Sequence, residues 1–210
     1  MLVVIEGVDK SGKTTLVTAL KDALPEVFNG KKVTFLRFPN RDGPIGSVIH
    51  NVLSGKIEMS AQTTQLLFAA DRWHTLGVLT EGLANGGIVV CDRYIHSGIA
   101  YAGANGVDVT WCAGLNEGLP APDLIIYLKL SEETRAIRGS SELEIYETTA
   151  IQRKVKDMYT SLIDHEIGFG QSAISVIDAN DSKEIVVQHA IKSIVSAYTP
   201  DVPIRPFVGW

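Results

Sequence analysis

The sequence predicts an α/β protein built as a five-stranded parallel sheet flanked by helices, and three features carry that prediction. First, the apolar run Leu2-Val3-Val4-Ile5 leads into Gly7-Val8-Asp9-Lys10-Ser11-Gly12-Lys13-Thr14, which fits G-x-x-x-x-G-K-[ST], the phosphate-binding P-loop. Second, Leu16, Leu20 and Leu24 follow at helical spacing, so the loop sits between a strand and a helix as its mechanism requires. Third, further apolar runs alternate with helical periodicities down the chain, and the run from Leu124 to Leu130 is nearly continuous, as in a parallel strand covered on both faces. The fold class is therefore that of a P-loop NTPase, expected as one domain over 1–210 with a short lid near 138–146 and a Pro-rich tail over 200–210.

In chain order, Lys31 to Phe38 reads as the second strand and is stopped by Pro39-Asn40-Arg41-Asp42-Gly43-Pro44. Because ligands bind beyond the carboxyl ends of such strands, Arg41 is well placed for function. Ile45, Val48, Ile49, Val52 and Leu53 have helical spacing. Ser60 then caps one longer helix that carries Leu66, Leu67, Ala70, Trp73 and Leu76 and ends at Gly86-Gly87. Ile88 to Asp92 is the third strand, and Asp92-Arg93-Tyr94 forms a second chemical cluster at its end. Helices over Ser97 to Ala104 and from Thr110 precede the fourth strand, Asp123 to Leu130, and Ser131 caps the helix after it. The stretch Arg138-Gly139-Ser140-Ser141-Glu142 breaks the pattern as the lid. A long helix from Tyr146 to about Asp164, a fifth strand Ala173 to Asp178, a closing helix through Val195 and an extended tail complete the chain.

Bulk properties narrow the function. With 210 residues, 45% of them hydrophobic, the chain can fill one α/β core, and no apolar stretch approaches the ~20 residues of a membrane span. The N-terminus enters a strand directly, without the parts of a signal peptide, so a cytoplasmic or nuclear address is expected. Two cysteines, Cys91 and Cys112, make neither a disulfide framework nor a metal cluster. A net charge of −5 argues against a broad nucleic-acid-binding face, so phosphate recognition has to come from a few cations in one cleft. The five histidines share no ligand spacing and read as structural or surface residues.

In the P-loop itself, the glycines let backbone N–H groups curl around phosphate oxygens. Lys13, read as a solvent-facing loop lysine, brings charge to the β- and γ-phosphates, and the Thr14 hydroxyl is available to Mg²⁺. Transfer between two anions needs cations from several elements, which Lys13, Arg41, Arg72 and Arg93 supply. Each candidate also has a plainer reading. Arg72 fits a solvated helix position, Phe68 a core aromatic, Tyr146 a helix-packing residue, Asp9 a local cap, Asp92-Arg93 an internal ion pair, and Lys10 a solvated loop lysine.

Several clusters, in order and spacing, together resemble the thymidylate kinases, the P-loop enzymes that pass the γ-phosphoryl group of ATP to dTMP. They are Glu6 to Thr15, Phe38-Pro39-Asn40-Arg41, Leu67 to Trp73, Asp92-Arg93-Tyr94 with Ser97 to Tyr101, Gly118 to Asp123, and Glu144-Ile145-Tyr146-Glu147. Trp111-Cys112 and Tyr101 are most similar to the eukaryotic and large-DNA-virus branch. The resemblance implies that Gly7, Ser11, Gly12, Lys13, Thr14, Thr15 and Arg138 hold ATP, the co-substrate, and that Thr14 and Asp92 serve Mg²⁺. It implies that Asp9 holds the sugar 3′-hydroxyl and that Arg41 and Arg93 grip the acceptor phosphate. Phe68 would stack on thymine, Arg72 bond the base, Tyr101 crowd the 2′ side, and Tyr146 and Gln152 close over the nucleoside, with Phe38, Ser97 and Gly98 completing the pocket. Lys13, Lys10, Asp9, Asp92 and Arg93 are the implied catalytic set, and Lys10 is assigned the mobile cation because Gly139 to Leu143 contains no Lys or Arg. A homodimer is implied through the helices around Ser60–Leu83 and Tyr94–Ala104. Asp71 stands where Asn is usual and His96 where an aromatic is common. The alternatives are another nucleotide or nucleoside kinase on this fold, or a nucleotide-binding switch. Against the switch, a guanine-reading N-K-x-D is absent, and the only D-x-x-G, Asp9 to Gly12, lies inside the P-loop.

Overall fold

The computed structural model describes residues 1–139, 145–146, 148–200 and 202–209. Most of the expected lid, including Ser140, Ser141, Glu142 and Leu143, lies outside these residues, as do Glu144 and Glu147. Five strands form one parallel sheet: β1 (Leu2–Glu6), β2 (Val33–Arg37), β3 (Ile88–Asp92), β4 (Leu124–Lys129) and β5 (Ala173–Asp178). Their order is β2-β3-β1-β4-β5, so the chain leaves β1 for one edge, returns to β3, and crosses β1 to reach β4. That crossing places the loops after β1 and β3 side by side at the carboxyl end of the sheet, where open α/β sheets bind ligands.

Burial follows the residue types. Every residue of β1 and β3 is buried, and β4 is buried up to its last residue, Lys129, whereas the edge strands β2 and β5 are partly exposed. The central strands are the most apolar, which suits a sheet covered on both faces. Helix α1 (Lys13–Val27) packs on β1, β2 and β3 and against α9 (Lys183–Ala197), which itself packs on β4 and β5. Helix α2 (Pro44–Leu53) follows β2 and packs on α3 (Ala61–His74). Among the remaining helices, α5 (Ile95–Ala104) packs against α3, α6 (Val109–Gly114) and α8 (Thr149–Phe169), while α4 (Leu76–Leu83) covers β2 and β3. The short α7 (Glu132–Arg138) follows β4. Side chains of Ser60, Ser131, Thr148 and Ser182 cap α3, α7, α8 and α9 by accepting from the backbone three residues on.

Three expectations change. The single helix expected from Ser60 is two helices, interrupted at Thr75, whose N–H and hydroxyl both turn back to the Asp71 carbonyl. The long helix begins after Thr148 rather than at Tyr146, and it continues past Asp164 to Phe169. Its polar last turn is explained by Glu166, which is fully buried and 3.0 Å from His96 Nε2 on α5. Finally, α5 cannot supply a surface to a second subunit, because nine of its ten residues are buried within the chain. Leu66 and Trp73 on α3 and Val78 on α4 are exposed.

Candidate active site

The P-loop wraps closely on itself. Gly7 has φ +149°, and a Cβ there would stand 2.8 Å from both the Leu128 carbonyl oxygen and Ser11 Oγ, so only glycine fits. Lys13 does not face solvent as expected: it is buried, and its Nζ donates to the carbonyls of Gly7 at 3.0 Å and Val8 at 2.7 Å. Burial, followed by the nearby Arg93 charge, pushes its pKa down to about 7, against the opposing pull of Asp9, Asp92 and Glu6. Thr14 Oγ1 donates to Asp92 Oδ2 at 2.9 Å, which joins the ends of the β1 and β3 loops.

Two non-glycine residues of this region hold left-handed backbone conformations, Lys10 (φ 68°) and Arg93 (φ 70°). Such conformations cost roughly 1–3 kcal/mol each and persist only where the surroundings impose them. Here the surroundings are specific. The Arg138 guanidinium donates to the carbonyls of Lys10 at 3.0 Å and Ala179 at 2.7 Å, strapping the P-loop to the loop after β5. The Arg93 N–H is held by the Ile5 carbonyl at 3.0 Å. Next to it, fully buried Glu6 accepts from the N–H groups of Tyr94 and Ser97 and from the hydroxyls of Ser97 and Tyr159, which fixes the start of α5.

Asp9 is the hub. Its carboxylate pairs with Arg93 Nη2, accepts from the Tyr101 hydroxyl at 2.9 Å and accepts from Gln152 Nε2 at 2.7 Å, while its N–H donates to Gln152 Oε1 at 3.0 Å. Burial works to raise its pKa, but Arg93, Lys13 and the bonds from Tyr101 and Gln152 outweigh it and hold the carboxyl below its ordinary value. Arg93 also lies 5.6 Å from the centre of the Tyr101 ring, and the rings of Tyr101 and Tyr146 meet at 5.7 Å.

Two pockets open on either side of this hub. The larger, about 480 Å³, is lined by Lys10 to Leu16, Arg37, Asp92, Arg138, Ala179, Asp181, Lys183, Val186 and Val187. The narrower one is lined by aromatic and basic side chains: Phe38, Arg41, Phe68, Arg72, Tyr94, Tyr101 and Tyr146, with Asp71 and Gly98. Asp9 and Arg93 line both. Arg72 is buried rather than solvated, and burial draws its pKa down to about 10, so it keeps its charge near neutrality. Asp71, also buried, accepts from the Asn40 N–H at 2.9 Å, a bond that an amide oxygen would make equally well. Ser97 also lines the narrower pocket, with its hydroxyl bonded to Glu6, Tyr159 and Arg93, and Gln152 bonds Asp9, the Tyr101 hydroxyl and the Tyr146 carbonyl.

Sequence reasoning passed over Glu6 as a backbone anchor, Arg37 at the end of β2, and the wall formed after β5 by Ala179, Asp181, Lys183, Val186 and Val187. Position alone marks the last group, since it follows the carboxyl end of a strand, but it carries no motif.

A P-loop between a buried strand and its helix, facing a second pocket lined by arginines and aromatic rings across a shared carboxylate, defines a kinase of the P-loop class. Comparison with known proteins places it within that class. Residues 5–190 match the family model described as thymidylate kinase. A thymidylate kinase of Arabidopsis thaliana is 36% identical over 206 residues, 97% of this chain and 75% of the relative. A protein of Invertebrate iridescent virus 6 is 34% identical over 95% of this chain and 89% of its own length. Among solved structures, the thymidylate kinase of Candida albicans superimposes with a TM-score of 0.87 at 28% identity, covering 99% of this chain and 97% of that one. The chain belongs to the thymidylate kinase family, with relatives in both eukaryotes and a large DNA virus.

Proposed function

We propose that the larger pocket receives ATP with Mg²⁺, that the narrower one receives dTMP, and that the γ-phosphoryl group passes directly between them at the Asp9–Arg93 hub. The observation that carries this reading is the pair of pockets sharing Asp9 and Arg93 as a common wall. A phosphate oxygen of dTMP attacks the γ-phosphorus, the bond to the β–γ bridging oxygen breaks, and ADP leaves with that oxygen. Membership of the family makes the chain a phosphotransferase that yields dTDP.

Each residue then has a physical task. Lys13 exchanges its loop carbonyls for the β- and γ-phosphate oxygens, and the P-loop N–H groups cradle them. Arg41 and Arg93 hold the acceptor phosphate, for which a planar guanidinium is suited. Asp9 accepts the sugar 3′-hydroxyl with the capacity that Arg93, Tyr101 and Gln152 leave on its oxygens. Phe68 offers the base a stacking face and Arg72 a hydrogen-bond donor, while the Tyr101 and Tyr146 rings bound the sugar. Arg138 closes the nucleotide side, and Lys10 supplies the cation that meets charge developing on the transferred group. The Thr14 hydroxyl and Asp92 carboxylate, hydrogen-bonded to each other beside the loop, are the hard oxygen donors that suit Mg²⁺. Bound there with the phosphates, the ion would neutralise phosphate charge. No helix is long and apolar enough to cross a membrane among the described residues, and the exposed Leu66, Trp73 and Val78 support a homodimer through α3 and α4.

The test is ADP release with Mg·ATP against a panel of nucleosides and monophosphates. The expected best acceptor is dTMP, ahead of dUMP by only about fivefold, because a methyl group buried in an apolar gap is worth ~1 kcal/mol. Arg41 and Arg93, both lining the acceptor pocket, favour a phosphorylated acceptor, so thymidine itself should be inert. AMP or thymidine as the best acceptor would overturn the reading.

A further inference from the structure

Arg72 is assigned above to the base, yet an arginine side chain has some 2 kcal/mol of rotamer entropy to lose before it can read anything. Its guanidinium is nevertheless held by groups of the protein itself. Nε donates to Asn116 Oδ1 at 2.8 Å, Nη1 leans on the Tyr94 carbonyl at 3.5 Å, and Gly98 lies so close on another side that a Cβ there would be 2.9 Å from Nη2. What remains of the donor fork is directed at the narrower pocket, which Arg72 lines.

We infer that Asn116, on the loop after α6, is a positioning residue that aims the Arg72 guanidinium at the acceptor base. Asn116 lines neither pocket, so it acts only through Arg72. It is buried, and its own amide cannot turn: Nδ2 donates to the Cys112 carbonyl at 2.7 Å, which leaves Oδ1 for Arg72. The loop that carries it is tied down independently. Trp73, the neighbour of Arg72 on α3, donates its indole N–H to the Leu115 carbonyl at 2.9 Å. From the far end of the chain, the Phe207 carbonyl accepts from the Gly118 N–H at 3.0 Å, and the Phe207 N–H donates to the Leu119 carbonyl at 2.6 Å. Removing the Asn116 amide should therefore release Arg72 without releasing the loop.

This rests on Arg72 contacting the base, and the test separates the two. Steady-state kinetics are measured for Asn116→Ala, Asn116→Asp, Arg72→Ala and the Asn116→Ala/Arg72→Ala double variant, with thermal melts to establish folding. Loss of a hydrogen bond to a charged group should raise the KM for dTMP about tenfold in Asn116→Ala, with kcat and the KM for ATP within about twofold of the parent. Asn116→Asp keeps an acceptor for Nε but loses the donor to the Cys112 carbonyl, so its KM for dTMP should fall between those of Asn116→Ala and the parent. In the Arg72→Ala background, Asn116→Ala should add nothing. If the alanine variant does not fold, Asn116→Ser, too short to reach Nε, carries the same expectation. A full additional rise in the double variant, an equal loss toward ATP, or no change in Asn116→Ala would overturn the inference. An Arg72→Ala enzyme with an unchanged KM for dTMP would instead remove the base-reading role of Arg72, and the inference with it.

Discussion

Lys13→Met is expected to reduce phosphoryl transfer by at least about 10³-fold while leaving the protein folded and no less stable. The size of the loss follows from removing the P-loop cation at the β- and γ-phosphates, where charge stabilisation supplies much of the rate. The unchanged stability follows from burial. Lys13 sits inside the loop with its pKa drawn down to about 7, so the fold bears a desolvation cost that an apolar side chain of similar length removes. The same group makes a pH prediction. In the free protein the amine is increasingly neutral as pH rises through about 7, and the phosphates of ATP favour its charged form, so nucleotide binding takes up a proton. Affinity for ATP should therefore weaken as pH rises above about 7. Calorimetry near about pH 8, in buffers of different ionisation enthalpy, should show proton uptake in the parent and none in Lys13→Met. Near-normal turnover in a folded Lys13→Met protein would remove the P-loop assignment.

Lys10→Ala is expected to lower kcat by about 10³-fold while moving each KM by less than about threefold. A cation that meets the transferring group mainly in the transition state shows that signature, and comparable cations in related transfers are worth ~10³–10⁵. Two features support this: Lys10 is held in a left-handed conformation beside the larger pocket, and Arg138, which also lines that pocket, spends guanidinium donors on the Lys10 and Ala179 carbonyls. Arg138→Ala should consequently cost less, about tenfold, by loosening the Lys10 peptide and the wall at Ala179. An unchanged kcat in Lys10→Ala, or complete inactivity of Arg138→Ala alone, would move the catalytic cation toward the lid.

What the sequence made legible was governed by local rules. The P-loop is a spacing motif, the five strands are apolar runs between turn residues, and the β3 terminus announces itself through Asp92-Arg93 beside the loop after β1. What stayed illegible depends on partners distant in the chain. The start of α5 at Ile95 is fixed by Glu6, from another strand, and the last turn of α8 survives because Glu166 finds His96. Lys13 looked exposed because loops usually are, yet its amine returns to the carbonyls of Gly7 and Val8. For the acceptor pocket, Phe68 and Arg72 are spaced so that one helix face presents both, but nothing local distinguishes that face from core packing. Their assignment came through resemblance, and Asn116 had no signal of either kind.

Binding of an adenosine–pentaphosphate–thymidine conjugate, measured by calorimetry, tests the meeting of two pockets at Asp9–Arg93 most directly, because one molecule has to span both. The structure predicts one conjugate per chain, competition with both ATP and dTMP, and an affinity well above that of either nucleotide alone. Binding that displaces ATP but leaves dTMP binding untouched, or that proceeds at two conjugates per chain, would contradict it.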